Sequence, residues 1–179
     1  MAEGGPSRKR SSVSGATLDV EVVRRDTAWS GLGDAVLARA ARAGFNAAPP
    51  RRSGAYHVTL ALADDAEMRV LNRTWRGKDA PTNVLSFPTG DAIGEPGFIG
   101  DVVLAYETTL KEARERNIAL ADHVSHLVVH GMLHLLGFDH AEDAEAECME
   151  GLERKALASL GIADPTPERD QSRAARVSP

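Results

Sequence analysis

The chain has 179 residues, the size of one ordinary globular domain, and its 42% hydrophobic and 26% charged residues are typical of a soluble protein. It contains no run of about 18 apolar residues, which excludes a membrane span, and its basic N-terminus lacks the apolar stretch of a secretory signal. The formal charge of −5 excludes a strongly basic nucleic-acid-binding domain, and the single cysteine, Cys148, excludes an internal disulfide and a cysteine-rich zinc site. We therefore expect a cytoplasmic protein in which any metal is bound by His, Asp or Glu.

The two ends of the chain differ in composition from the rest. Residues 1–16 are rich in Gly, Ser and basic residues, and residues 163–179 mix Pro with charges. Such segments bury too little apolar surface to offset the entropy of ordering. The sequence therefore predicts two disordered tails around one domain over residues 17–162.

Strand and helix patterns alternate through this domain. Apolar alternation and β-branched residues predict strands at 18–24, 56–63, 83–88 and 100–106, the first two half-buried. Helical spacing predicts five helices. The first carries an apolar stripe of Leu32, Val36, Leu37 and Ala40, and the second carries Met68, Leu71 and Trp75 after a cap region at Asp64 and Asp65. The other three are expected at 107–116, from the cap Asp122 to Gly137, and at 142–161. This order predicts an α+β fold with about five helices on a mixed sheet of about four strands.

The segment HGMLHLLGFDH has the spacing of a metal site. His130 and His134 lie one helical turn apart, so their imidazoles face the same way. Gly137 allows the chain to leave the helix and turn back, which lets His140 close the site from a loop. Three neutral imidazoles with a fourth position for water are typical of a catalytic zinc site, so we predict one Zn²⁺ per chain.

The same spacing occurs in metzincin-type metallopeptidases, but position 131 is Gly where those enzymes carry the Glu that acts as general base. Nearby side chains have secondary roles in this interpretation. His126 is expected to support the site or lie at the surface, Asp139 to orient an imidazole or cap the turn, and Cys148 to pack as a small apolar residue.

A second informative segment, LNRTWRGKDAPTNVLSFP, carries basic residues between a helix and a strand. We expect Arg76 and Lys78 on the connecting loop, where the forked guanidinium of Arg76 suits a phosphate. From composition alone, an ordinary solvated surface charge is the favoured interpretation of Arg76.

Together, LNRTWRGKDAPTNVLSFP, IGDVVLA and HLVVHGMLHLLGFDH resemble the YbeY family of endoribonucleases. The resemblance covers about Leu18 to Gly161. It implies zinc on the three histidines and a catalytic role for Arg76 and His130. It also implies single-stranded RNA as substrate, association with the small ribosomal subunit, and roles in 16S rRNA 3′-end maturation and ribosome quality control. Trp75 stands where Tyr is usual and Asn83 where many members have Asp.

Two other functions are compatible with the sequence. One is a non-catalytic ribosome-assembly factor in which zinc stiffens a binding surface; the other is a metallopeptidase. No Glu in the motif helix can act as a base, which leaves Asp101, Glu142 and Glu145 as candidate proton acceptors.

Overall fold

The computed structural model describes residues 15–90 and 94–164. Its four strands are β1 (Ala16–Arg24), β2 (Gly54–Ala63), β3 (Val84–Pro88) and β4 (Gly97–Ala105). Its five helices are α1 (Asp34–Ala47), α2 (Asp65–Arg76), α3 (Tyr106–Glu115), α4 (Leu120–Leu135) and α5 (Asp143–Ser159), and a 3-10 turn covers Thr27–Gly31. The predicted α+β class, element order and mixed four-stranded sheet are confirmed. The two tails fall mostly outside the described residues, so the domain boundaries stay a prediction.

The strands lie side by side in the order β1, β2, β4, β3. The pairs β1–β2 and β2–β4 are parallel, and β3 runs antiparallel to β4. Strand β3 is therefore an edge strand, with one side unpaired within the described sheet. This placement matters for function because the cleft described below opens around β3.

Helices cover the two faces of the sheet unequally. Alternate residues such as Leu60, Leu62 and Val102 face α1 and α4 and form the main core. Helix α5 packs on the outer side of α1 and α4 through Met149, Ala156 and Leu157. The opposite face, which includes Ala61, Val103 and Leu85, is covered by Met68 and Leu71 of α2. The helix that carries the histidines is thus held between the sheet and α5.

The structure corrects three local predictions. Strand β2 was expected to be half-buried, but Leu60–Ala63 is buried on both faces, because β2 lies between two strands and beneath helices on both sides. Helix α4 begins at Leu120 rather than after the expected cap Asp122, since the backbone N–H groups of Asp122 and His123 already donate to Ala119. Trp75, predicted to belong to the apolar stripe of α2, is 68% exposed.

Within the described ranges, no helix combines the length and the apolar character that a membrane span requires.

Candidate metal centre

Helix α4 presents two histidines to a cleft while its other side is buried. Val124, Leu127 and Val128 pack into the core as predicted. One turn apart on the exposed side, His130 and His134 bring their Nε2 atoms to 3.0 Å from each other. The helix therefore holds two imidazole nitrogens close enough to bind one ion.

The turn after α4 brings the third histidine to the same point. Gly137 adopts φ 92°, a left-handed conformation that favours glycine, and the backbone N–H of Phe138 donates to Leu133 at 3.0 Å. Asp139 stabilises the turn, because its Oδ1 accepts from the backbone N–H of His140 at 2.7 Å. One ring nitrogen from each of His130, His134 and His140 lies within 4.8 Å of the other two.

This donor set fits zinc. Zinc–nitrogen bonds of about 2.0–2.1 Å at tetrahedral angles place ligand nitrogens roughly 3.3 Å apart, close to the His130–His134 separation. The exposed His140 is the ligand best able to adjust its position. Burial, together with the neighbouring His130 and His140, lowers the pKa of His134 below 6.5, which favours the neutral imidazole that a metal requires.

A carboxylate on α5, which the sequence analysis did not identify, holds His130 from behind. The Nδ1–H of His130 donates to Glu153 Oε1 at 2.5 Å, which leaves Nε2 with its lone pair toward the cluster. The side chain of Glu153 is only 11% exposed. Burial alone raises the pKa of Glu153, but hydrogen bonds from His126 and His130 outweigh it and bring the pKa to about 2. The available signal in the sequence was a carboxylate placed between Leu152 and Ala156 on the apolar face of α5.

His126 and His123 belong to polar networks beside the cluster. His126 Nε2 lies 3.4 Å from Glu153 Oε2, so His126 supports the carboxylate and is not one of the grouped ligands. His123 is 1% exposed and its Nε2 lies 2.7 Å from Glu112 Oε2. Asn83 donates to the same carboxylate from Nδ2 at 3.0 Å. An Asp at position 83 would instead place a second negative charge against Glu112, which explains why Asn suits this position.

The cluster opens into a cleft of about 1050 Å³ around edge strand β3. Arg76 lines this cleft together with the three histidines. It is the last residue of α2 rather than part of the predicted loop, because α2 continues to its left-handed cap at Gly77. The guanidinium is thereby fixed to a helix end at the mouth of the cleft.

Arg76 differs from the two other arginines of α2. Arg69 makes a two-point hydrogen bond to Asp79, at 2.8 and 2.9 Å, and Arg73 lies 3.8 Å from the same carboxylate. Arg76 has no ion pair with the described residues. Because it also lines the cleft, its guanidinium is available to an anionic ligand there.

The remaining candidate residues differ in whether they line the cleft. Asp101 lines the cleft, whereas Glu142 and Glu145, at the start of α5, do not. Cys148 was expected to be packed but is exposed, because it lies on the outer side of α5. Among the described residues, the carboxylates that line the cleft are those of Asp101 and Asp139.

Comparisons with known proteins identify the family of this chain. The family model described as endoribonuclease YbeY matches residues 34–161. The chain belongs to the endoribonuclease YbeY family. The endoribonuclease YbeY of Parvibaculum lavamentivorans is 46% identical over 179 aligned residues, which cover 92% of this chain and 95% of that relative. That of Azorhizobium caulinodans is 46% identical over 154 residues, with 83% and 96% covered.

A solved structure shares the architecture. The solution structure of a protein from Thermotoga maritima aligns with a TM-score of 0.52 at 22% identity, covering 84% of this chain and 100% of that one. At this identity the likeness concerns the fold alone. The matched YbeY region includes all three clustered histidines, Arg76 and Glu153.

Proposed function

We propose that this chain is a zinc-dependent, single-strand-specific endoribonuclease of the cytoplasm that acts in ribosomal RNA maturation, at the 3′ end of 16S rRNA, and in ribosome quality control. Membership of the YbeY family supports the endoribonuclease class. The observation that carries the proposal is the convergence of His130, His134 and His140 in the same cleft as Arg76, which has no ion pair within the described part of the chain. The small ribosomal subunit is the proposed partner.

Each proposed role follows from a group in the cleft. His130, His134 and His140 would hold the metal, and Glu153 would keep Nε2 of His130 available as a ligand. Zinc bound there would lower the pKa of a water ligand toward 7 and polarise a phosphoryl oxygen. Arg76 would bind the phosphodiester and offset the negative charge that develops during its cleavage.

The metallopeptidase alternative is disfavoured by packing as well as by sequence. A Cβ added at Gly131 would lie 2.7 Å from Val102 Cγ1 and 3.1 Å from Ser86 Oγ. Position 131 therefore faces the sheet at close range, and a Glu there would be forced against β4 rather than into the cleft. This helix has no room for the base that a peptidase of that type uses.

The non-catalytic alternative is separated from the proposal by a cleavage assay. The protein with zinc should cleave single-stranded RNA, and His134→Ala protein purified identically should not. The variant serves as the control for contaminating nuclease. Equal cleavage by both preparations would assign the activity to a contaminant and favour a binding role.

Arg76 gives the sharper test, because it separates substrate handling from metal binding. Arg76→Ala should keep its zinc and its melting temperature, while the cleavage rate falls roughly a hundredfold, since a charge-assisted contact to the reacting phosphate is worth about 3 kcal/mol. Arg76→Lys should recover part of the loss, because an ammonium cannot reproduce the fork.

Arg73→Ala is the matched control for Arg76, one turn earlier on α2 and already near Asp79. It should cleave RNA at close to the wild-type rate. A wild-type rate in Arg76→Ala, with zinc present, would make Arg76 an ordinary surface charge.

A further inference from the structure

Trp75 is a large aromatic residue that the core leaves mostly exposed. Helix α2 packs on the sheet through Met68 and Leu71, and Asn72 is buried beside them. Trp75, in the last turn of the helix, remains 68% exposed. Single exposed apolar residues are common on protein surfaces, so exposure alone assigns no role. Its surroundings are more specific.

A second aromatic ring lies against Trp75 inside the cleft. The ring centroids of Trp75 and Phe87 are 6.0 Å apart, with the planes inclined at 68°. An edge-to-face contact of this kind covers at most one face of one ring, so it holds the indole in place and leaves a ring face open. Phe87 lies on edge strand β3, and both rings line the cleft that contains the three histidines.

The positive charge beside Trp75 and Phe87 indicates which class of ligand the cleft can bind. Arg76 follows Trp75 directly in sequence, lines the same cleft and has no ion pair with the described residues. The cleft thus joins the three clustered histidines, the guanidinium of Arg76 and an open aromatic face of Trp75. A polymer with a phosphate and a flat ring in each unit matches this set, and single-stranded nucleic acid is such a polymer.

We infer that Trp75, supported by Phe87, is a stacking platform for a nucleobase adjacent to the phosphate that Arg76 binds. The inference rests on the proposed RNA substrate and adds a binding residue to the same cleft. Stacking tolerates any base, because every base has a π face. Trp75 should therefore contribute to affinity for RNA without selecting a particular sequence.

The test compares Trp75→Ala with Trp75→Tyr in cleavage and in binding of a short single-stranded RNA of mixed sequence. Trp75→Ala should raise KM and Kd roughly 5- to 150-fold, the equivalent of about 1–3 kcal/mol per stacked base, with little change in kcat, zinc content or melting temperature. Trp75→Tyr should keep most of the affinity. Phe98→Ala is the matched control, an aromatic residue that is 47% exposed and does not line the cleft, and it should behave as wild type.

Binding can be read without cleavage. The chain has two tryptophans, and Trp29 is fully buried, so quenching of the exposed Trp75 by the RNA reports stacking directly. Each nucleotide of the RNA can be replaced in turn by an abasic site. At one position, loss of the base should weaken RNA binding by the wild type but should not further weaken RNA binding by Trp75→Ala. Unchanged KM and Kd in Trp75→Ala, or absence of such a position, would overturn the inference. Quenching by RNA in a wild-type protein that fails to cleave it would overturn the proposed function and leave the platform standing.

Discussion

Glu153 lies behind the metal centre and gives its most direct structural test. The substitution Glu153→Gln keeps the size of the side chain and an oxygen that can accept from His130 Nδ1, but removes the negative charge. That charge lies 2.5 Å from His130 and 3.4 Å from His126, on a side chain that is 11% exposed. The substitution therefore changes the electrostatic support of one ligand without altering any ligand.

The expected size of the effect follows from this position. Loss of a carboxylate that supports a metal-bound imidazole weakens metal affinity by about 10- to 100-fold, or about 1.4–2.7 kcal/mol. At a fixed free zinc concentration well above Kd, the stabilisation by zinc falls by the same amount. For a domain of this size, each 1 kcal/mol shifts the melting temperature by about 2–4 °C, so the rise on adding zinc should shrink by about 3–11 °C.

The assay is a zinc titration against a chromophoric chelator, paired with melting curves measured with and without zinc. Glu147→Gln is the matched control, since Glu147 is exposed on the same helix. It should bind zinc as the wild type does. Equal zinc affinity in Glu153→Gln and Glu147→Gln would show that the contact with His130 does not support the metal, and the reasoning about this carboxylate would be wrong.

Three further outcomes are expected. Elemental analysis should find zinc largely lost in His134→Ala and retained in His126→Ala; retention in both would remove His134 from the ligand set. Gly131→Ala should lower the melting temperature, because its Cβ would lie 2.7 Å from Val102 and overpacking costs about 1–3 kcal/mol, whereas Gly151→Ala, with open space, should gain about 1 kcal/mol of helix propensity. Equal stability of the two would contradict the close approach of α4 to the sheet. Burial lowers the pKa of His123 below 6.5 despite its bond to Glu112, so the unfolded state binds more protons below that pH. The free energy of unfolding in urea should therefore fall as pH drops below 6.5, with a shallower slope in His123→Gln.

The sequence was sufficient for the parts of this protein that depend on local order. The spacing of His130, His134 and His140 around Gly137 fixed which imidazoles converge, because a helix and one left-handed turn have nearly constant geometry. Element order followed from apolar periodicity for the same reason, and the segment containing Arg76 carried the family resemblance. The sequence predicted the ends of the helices less accurately, because a helix can extend to any residue whose backbone groups find hydrogen-bond partners, as α4 does at Leu120.

Only the tertiary structure determined which side chains from distant segments contact these local elements. Glu153 supports His130 because α5 packs on α4, a contact between residues 23 positions apart that no local pattern encodes. The same holds for Trp75, which shares the spacing of a buried residue but is 68% exposed beside Phe87 of the edge strand β3. Gly131 marked a missing peptidase base in the sequence, and the reason for the glycine, close contact with β4, required the packed fold. Local spacing thus specified which side chains could bind a metal, while packing between distant segments determined which carboxylate supports them and which ring is left open to a ligand.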